Sequence, residues 1–211
     1  MPFLFPTYRG TPWSPWALWK LRVGVKLYDL LCSGRNLGRS TSFDAKGLCE
    51  HLPQINARHL TGAVRYFDGL TNDARLVIDT LRSAVRSKGL VLNYCRMTDA
   101  VPQNNRWRCT LHDKIAGTDY AVEATNVVNA AGPWAQQLPQ CSVKLRLTKG
   151  VHLVIDRKRL PTSDAVVLTE GSRVLFVIPW MERVILGTTD TDYDGVIEDV
   201  HTESEDILYI L

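Results

Sequence analysis

Apolar residues recur at helical spacing in two parts of the chain. Across residues 16–31 they follow a three- and four-residue period with basic residues between them, and Ser14-Pro15 is typical of a helix start. A second stripe covers residues 72–87, with Thr71 or Asn72 as the candidate N-cap. The spacing predicts two amphipathic helices, and the basic, Trp-rich first one is suited to a membrane surface or to packing on its own domain.

After residue 89 the pattern changes to short apolar or alternating runs, which predict strands. The predicted strands are Leu90–Tyr94, Arg106–Asp113, Tyr120–Ala124, Val127-Val128, Lys144–Leu147, Val151–Ile155, Ala165–Leu168, Arg173–Ile178 and Val184–Leu186. Residues 203–211 predict a last helix, residues 1–12 an extended lead-in, and residues 35–70 loops and short pieces. The predicted fold class is α/β (α+β), with antiparallel hairpins dominating the second half.

Composition narrows the class of protein. The chain has 211 residues, 45% of them hydrophobic, and a net charge of +3. These values exclude a disordered tail and do not suggest nucleic-acid binding, which needs a clustered basic face. Five cysteines without a CxxC pair, and no secretory signal, favour reduced thiols in a cytoplasmic protein. The absence of any 18-residue apolar run predicts no membrane span.

Several common motifs are absent. The 14 glycines include no GxGxxG and no P-loop, and GxSxG is missing too. Residues 190–195 match the first half of a calcium-binding EF-hand loop, but His201 stands where the loop needs a bidentate Glu. We interpret this stretch as a solvated acidic turn and predict no metal site.

Two groups of residues are candidates for function. In residues 127–134 small side chains and a glycine follow a predicted strand, which suits either close approach of a ligand or tight packing of a turn. The second group comprises the polar strand ends at residues 147–152, 176–180 and 187–190. Pockets collect functional side chains at such ends.

The same segments are similar to the FAD-dependent glycerol-3-phosphate dehydrogenases. The matching runs are Arg65–Gly69 with Asp73–Val77, Asn129–Trp134, Arg146–His152, and Val177–Trp180 with Gly187–Asp190, and a weaker match lies at Lys26–Asp29. They occur in the family's order over roughly residues 60–211.

The resemblance implies a partial fold like that of glutathione reductase and D-amino-acid oxidase, with an antiparallel substrate-domain sheet. It implies FAD as cofactor, oxidation of sn-glycerol 3-phosphate to dihydroxyacetone phosphate, and quinone as the electron acceptor at the membrane, or oxygen in a related oxidase. Residues 1–60 would form a helical and loop segment, 61–140 a partial FAD-binding domain with a β-hairpin insertion, and 141–211 a partial substrate-binding domain.

The resemblance also implies site residues. Those expected to contact the cofactor are Met97, Ala131, Gly132, Pro133, Trp134, Gly187 and Thr188. Histidine exchanges protons readily near neutral pH, so His152 is the candidate base for the substrate hydroxyl, and a histidine bonded in the core is the alternative. Lys149 is the candidate to stabilise phosphate or flavin charge, and a solvated lysine is the alternative.

The chain departs from the family in lacking its glycine-rich fingerprint. We therefore expect an internal fragment of a larger enzyme that binds FAD weakly or not at all on its own, because the pyrophosphate lacks its usual helix N-terminus. A non-catalytic remnant or interaction module is the alternative function. The expected location is the cytoplasm, with peripheral attachment to the inner membrane as a variant.

Overall fold

The computed structural model describes residues 1–10, 15–138, 141–170 and 173–211, and the side chains of Pro15, Trp16 and Glu170 lie outside this description. In the first part of the chain the elements are β1 (Pro2–Tyr8), α1 (Pro15–Leu31), β2 (Thr41–Asp44), α2 (Ala45–His51), β3 (Leu60–Phe67), α3 (Asp73–Arg86), β4 (Cys95–Gln103), β5 (Arg106–Asp113) and β6 (Thr118–Ala124). The later elements are β7 (Thr148–Lys149), β8 (His152–Asp156), β9 (Ala165–Glu170), β10 (Arg173–Trp180), β11 (Arg183–Gly187), β12 (Thr191–Asp192) and α4 (Ser204–Ile210), with 3-10 turns at Gly132–Gln137 and Arg157–Arg159.

These elements form two compact units. The first comprises Met1–Leu70, Thr148–Thr191 and His201–Leu211, and the second comprises Thr71–Leu147 and Asp192–Val200. Each unit is thus built from separate stretches of the chain, whereas the division expected from the sequence used three consecutive segments. The assignment of these units to an FAD-binding and a substrate-binding domain stays a prediction.

A seven-stranded sheet organises the first unit, in the order β2-β3-β1-β9-β10-β11-β8. All neighbours are antiparallel except β1 and β9, which run parallel. Of the residues expected to form an extended lead-in, 1–12, residues 2–8 are extended but form β1 inside this sheet, and residues 11–12 lie outside the described part. Successive side chains of a strand point to opposite faces, so Leu4 and Phe3 enter separate cores. Leu4 packs with Leu48, Leu52, Leu60, Ala63 and Val166, and Phe3 packs with Ala165 and Val167.

Residues 35–70, expected to be loops and short pieces, contain the short elements β2, α2 and β3. Asp44 caps α2 by accepting a hydrogen bond from Gly47 N, and Leu48 of this seven-residue helix is fully buried. β3 then pairs with both β1 and β2. β2 and α2 are too short for a periodic signal, which explains why the pattern of residues did not show them.

Helix α1 confirms the first amphipathic prediction, although its predicted cap Ser14 lies outside the described residues. Ala17 and Leu18 are buried, and Leu21 and Val25 are half-buried along the predicted stripe. Near its end the carboxylate of Asp29 accepts hydrogen bonds from Ser40 and Asn36, which lowers its pKa. Several further apolar side chains of the helix are exposed, namely Trp19, Val23, Leu27, Leu30 and Leu31. None of the helices in the described part of the chain is long and apolar enough to cross a membrane.

The second unit contains α3 and an antiparallel sheet in the order β4-β5-β6. Helix α3 begins as predicted, with the Asn72 side chain accepting a hydrogen bond from Arg75 N, but no residue of α3 is buried. β5 has the predicted bounds, and β6 begins at Thr118, just before the predicted Tyr120.

Three predicted strands of the second unit are absent. In Leu90–Tyr94 no residue pairs with another described strand, Leu90 is 84% exposed, and Tyr94 has a positive φ of 56°. At Val127-Val128 the chain is irregular, since the following Asn129 bonds its own turn instead. Lys144–Leu147 is irregular as well, because Leu145 N donates to the side chain of Gln136 rather than to a strand, and β7 begins only at Thr148.

Candidate active site

Four predicted site residues lie together in the first unit, where β7 and β8 meet the end of β11. His152 is the register partner of Gly187, with the imidazole ring lying against the glycine. A Cβ on residue 187 would lie 2.8 Å from His152 Cδ2 and 2.8 Å from the Val151 carbonyl oxygen. Gly187 also has a φ of 154°, which favours glycine. The absence of a side chain at residue 187 therefore lets the ring approach the end of β11.

The His152 ring itself is exposed. Within the described part of the chain it has no hydrogen-bond partner. The alternative of a histidine bonded in the core does not apply to this arrangement. An exposed imidazole on a rigid strand can accept a proton from a ligand hydroxyl that reaches it.

Threonines fix the backbone around this histidine. Buried Thr189 accepts a hydrogen bond from Val151 N at 2.9 Å through its Oγ1, which also donates to the Lys149 carbonyl oxygen at 3.4 Å. The Thr188 hydroxyl donates to the Thr189 carbonyl oxygen at 2.9 Å, and a Cβ on Gly150 would lie 2.9 Å from Thr188 Oγ1. Residues 149–152 and 187–189 therefore form one hydrogen-bonded block.

Lys149 is not a solvated lysine, because its side chain is only 8% exposed and bound by carboxylates of α4. Its Nζ lies 2.8 Å from Asp206 Oδ2 and 3.4 Å from Glu203 Oε2. The hydrogen bond to Asp206 is the main reason why the pKa of Lys149 is raised. The same bond lowers the pKa of Asp206, so both groups are charged at neutral pH.

In the second unit, residues 131–134 belong to an exposed turn that leads into the 3-10 segment. Asn129 holds this turn, since its Oδ1 accepts from Ala131 N at 3.2 Å and its Nδ2 donates to the Ala135 carbonyl oxygen at 2.9 Å. Gly132 has a φ of 55°, and nothing lies within 4 Å of the position of an added Cβ. Pro133 follows at the start of the 3-10 turn. The surface at Gly132 is therefore open to the approach of another group.

Trp134 is held by a partner within the same unit. Its indole Nε1 donates to Glu198 Oε1 at 2.6 Å, and the ring is 41% exposed. Arg146 makes a bidentate ion pair with Asp192 in the same unit. Asp192 is the residue that the calcium-like loop would use at its third position, and Arg146 binds both oxygens of its carboxylate. The described residues contain no group of three or more His, Cys, Asp or Glu able to hold a metal.

Met97 occupies an irregular position on β4. It pairs with Leu111 of β5, and the register shifts between Met97 and Asp99. Such bulges redirect a side chain relative to the regular sheet. Met97 is half-buried, so part of its thioether surface is available for contact.

A buried charge cluster in the first unit was not predicted from the sequence. Asp164 is 1% exposed, and its carboxylate accepts two hydrogen bonds from Arg65 at 3.0 Å and lies 2.8 Å from His51 Nε2. Phe43 stacks on His51, and Arg65 lies over Phe67. The cluster joins β3 and α2 to the start of β9. The only signals in the sequence were an arginine within an apolar strand and an aspartate directly before one.

The fold agrees with one class of protein. The family described as FAD dependent oxidoreductase matches residues 15–211, and the chain belongs to this family. The predicted family and fold class are therefore confirmed.

Among characterised relatives, an alpha-glycerophosphate oxidase of Streptococcus pyogenes serotype M18 is 34% identical over 222 residues, which cover 100% of this chain and 36% of the relative. The aerobic glycerol-3-phosphate dehydrogenase of Escherichia coli is 33% identical over 92% of this chain and 39% of its own length. The chain thus spans little more than a third of the relatives that it matches.

A solved structure resembles the chain over its whole length. The glycerol-3-phosphate dehydrogenase of Bacillus halodurans, complexed with FAD, matches with a TM-score of 0.75 at 27% identity, over 100% of this chain and 38% of that one. The FAD-bound L-alpha-glycerophosphate oxidase of Mycoplasma pneumoniae shares the fold, with a TM-score of 0.69 at 13% identity.

Proposed function

We propose that these residues form the substrate-domain portion of a flavoprotein that oxidises sn-glycerol 3-phosphate to dihydroxyacetone phosphate. The exposed His152 ring beside Gly187 carries this proposal, because the reaction needs a base at the substrate hydroxyl. The names and sequence identities of the streptococcal and E. coli relatives support the choice of substrate.

In the proposed mechanism, His152 accepts the proton of the C2 hydroxyl while a hydride leaves C2, which oxidises the alcohol to a ketone. FAD, when bound, would accept that hydride. Thr188 and Thr189 hold the histidine's strand in place. Lys149 has three N–H donors, of which two point to carboxylates, so we assign it one hydrogen bond to a ligand oxygen.

We further propose Gly187 and Thr188 as cofactor contacts in the first unit. In the second unit we propose Met97 and the turn residues Ala131, Gly132, Pro133 and Trp134. The support is the open, small-residue surface of the turn and the exposed edge of the indole. The sequence contains no GxGxxG turn of the kind that binds a dinucleotide pyrophosphate.

The substrate proposal can be tested in a chimera of the S. pyogenes oxidase in which this chain replaces the matching segment. With FAD bound, glycerol 3-phosphate should bleach the flavin absorbance. His152→Gln should slow bleaching about 10²–10⁴-fold, the usual contribution of a general base. His112→Gln, in the β5 hairpin, is the control. Equal rates in the chimera and its His152→Gln variant at equal FAD content would contradict the assignment.

The acceptor of the electrons distinguishes two versions of this function. A dehydrogenase passes them to quinone, and an oxidase passes them to oxygen. The relatives carry both names. Hydrogen peroxide formation by the reduced chimera, compared with its reduction of a soluble quinone, separates the two.

A non-catalytic remnant or interaction module is the second candidate. The exposed apolar side of α3, with Leu76, Ile78, Leu81 and Val85 each more than 40% exposed, favours it because such faces bind partners. Failure of the chimera to bleach despite full FAD content would support this alternative.

A cytoplasmic location with peripheral membrane contact completes the proposal. The exposed apolar residues of α1 lie among basic ones, a combination that binds anionic lipid surfaces. Flotation with anionic liposomes should recover the chain, and Trp19→Ala should reduce recovery. Equal flotation of both proteins would contradict membrane contact through α1.

A further inference from the structure

We infer that Asp206 and Glu203 are positioning residues, which fix the Lys149 ammonium so that it offers a single hydrogen bond to an uncharged ligand oxygen. This inference rests on the proposed function. Where the sequence suggested that Lys149 stabilises phosphate or flavin charge, this inference gives it a narrower role at a hydroxyl or carbonyl oxygen.

The contact between Lys149 and Asp206 is the main observation. The two side chains are 8% and 5% exposed, and Nζ lies 2.8 Å from Oδ2. Asp206 is itself held, because its Oδ2 also accepts a hydrogen bond from Glu203 N at 2.9 Å in the capping box of α4. The carboxylate therefore cannot turn away without opening the first turn of the helix.

Lys149 is also fixed from its backbone side. Its carbonyl oxygen accepts hydrogen bonds from the hydroxyls of Thr189 and Thr191. α4 has a second attachment, since the Arg173 guanidinium lies 4.7 Å from the centre of the Tyr209 ring. The ammonium is thus held between a hydrogen-bonded strand end and a helix that is attached at two points.

Charge decides which ligand atom this ammonium can serve. The Lys149 ammonium faces the carboxylates of Asp206 and Glu203, and its Nζ lies 3.4 Å from Oε2 of the more exposed Glu203. On the other side of Glu203, His201 Nε2 lies 3.9 Å from Oε1. The Lys149 ammonium and the two carboxylates of Asp206 and Glu203 together carry one net negative charge. A doubly charged phosphate is repelled by such a cluster, whereas a hydroxyl or carbonyl oxygen can accept the remaining N–H bond.

The experiment measures the reactivity of the Lys149 amine, and it needs neither FAD nor substrate. The purified chain is labelled with an acetylating reagent at pH 8, and the labelling rate of Lys149 relative to exposed Lys158 is measured by mass spectrometry. Asp206→Asn should raise the relative rate about tenfold or more, because loss of an opposite charge at this distance favours the free amine. Glu203→Gln should raise it less, and Glu205→Gln, on the exposed side of α4, should leave it unchanged.

A structural control separates positioning from loss of the helix. The NMR signals of the Tyr209 ring report whether α4 still lies against Arg173. A faster reaction with unchanged Tyr209 signals supports the inference, and an unchanged rate in Asp206→Asn overturns it. If the Tyr209 signals move in Asp206→Asn, the Glu203→Gln variant is used instead. An unchanged labelling rate of Lys149 in Glu203→Gln then overturns the inference. Failure here leaves the chimera result for His152 intact, so the two proposals fail separately.

Discussion

Gly187 allows a sharp test of the proposed site, because the close approach of His152 depends on its missing side chain. Gly187→Ala would place a methyl group 2.8 Å from both His152 Cδ2 and the Val151 carbonyl oxygen. The imidazole can rotate away, but the carbonyl oxygen belongs to the backbone block that the threonines hold. The strand end must therefore shift.

Two contributions determine the expected loss of stability. A residue forced into a glycine conformation costs about 1–3 kcal/mol. Overpacking a fixed neighbour costs about 1–3 kcal/mol more. The free energy of unfolding should therefore fall by about 2–6 kcal/mol, a large part of the roughly 5–15 kcal/mol available to a domain.

Gly117→Ala is the matched control. Gly117 has a φ of 68° in the hairpin after β5, and nothing lies within 4 Å of its Cβ position. Its substitution should cost only about 1 kcal/mol, the conformational penalty alone. Urea unfolding, followed by hydrogen exchange of peptides from β8 and β11, measures both variants. Equal losses in the two would refute the close contact between His152 and residue 187.

Two further predictions concern charged groups of the first unit. Asp164→Asn should lower the free energy of unfolding by about 2–3 kcal/mol, since Arg65 and His51 lose a charged partner while remaining partly exposed. Urea denaturation measures this loss, and Asp119→Asn, at an exposed ion pair, should show no such loss. The Lys149–Asp206 pair predicts that the free energy of unfolding falls at both strongly acid and strongly alkaline pH. Its stabilisation through Asp206, whose ordinary pKa of 3.8 is lowered by the Lys149 hydrogen bond, should be full above pH 3.8 and lost as the pH falls through the lowered value. Its stabilisation through Lys149, whose ordinary pKa of 10.5 is raised, should be full below pH 10.5 and lost as the pH rises through the raised value. Unfolding midpoints measured across pH should show both losses, and Asp206→Asn should remove the acid one; an equal acid loss in that variant would exclude the pair as its source.

Long periodic elements of this fold could be predicted from the sequence. α1, α3 and β5 each repeat their apolar positions over two or more turns or several strand residues, which gives an unambiguous period. Shorter elements could not be predicted, because β2 and α2 contain only four and seven residues. Their place depends on pairing with β3 and on the burial of Leu48, which are tertiary effects.

Part of the candidate site could also be predicted from the sequence. Polar strand ends pointed to Lys149, His152, Gly187 and Thr188. The sheet register pairs His152 with Gly187, and hydrogen bonds through Thr189 connect Thr188 and Lys149 to the same block. Their catalytic and cofactor roles stay predictions. The ion pair of Lys149 with Asp206 could not be predicted, because the two residues are far apart in sequence and meet only through the packing of α4.

We propose that these residues supply the substrate-facing chemistry of a flavoprotein, and the sequence contains no glycine-rich pyrophosphate motif. A visible absorption titration of the purified 211-residue chain with FAD, followed by glycerol 3-phosphate, tests it most directly. We expect no saturable change in the flavin spectrum and no bleaching by the substrate. Saturable binding at one flavin per chain, followed by bleaching, would contradict it and would show that this chain holds the whole cofactor by itself.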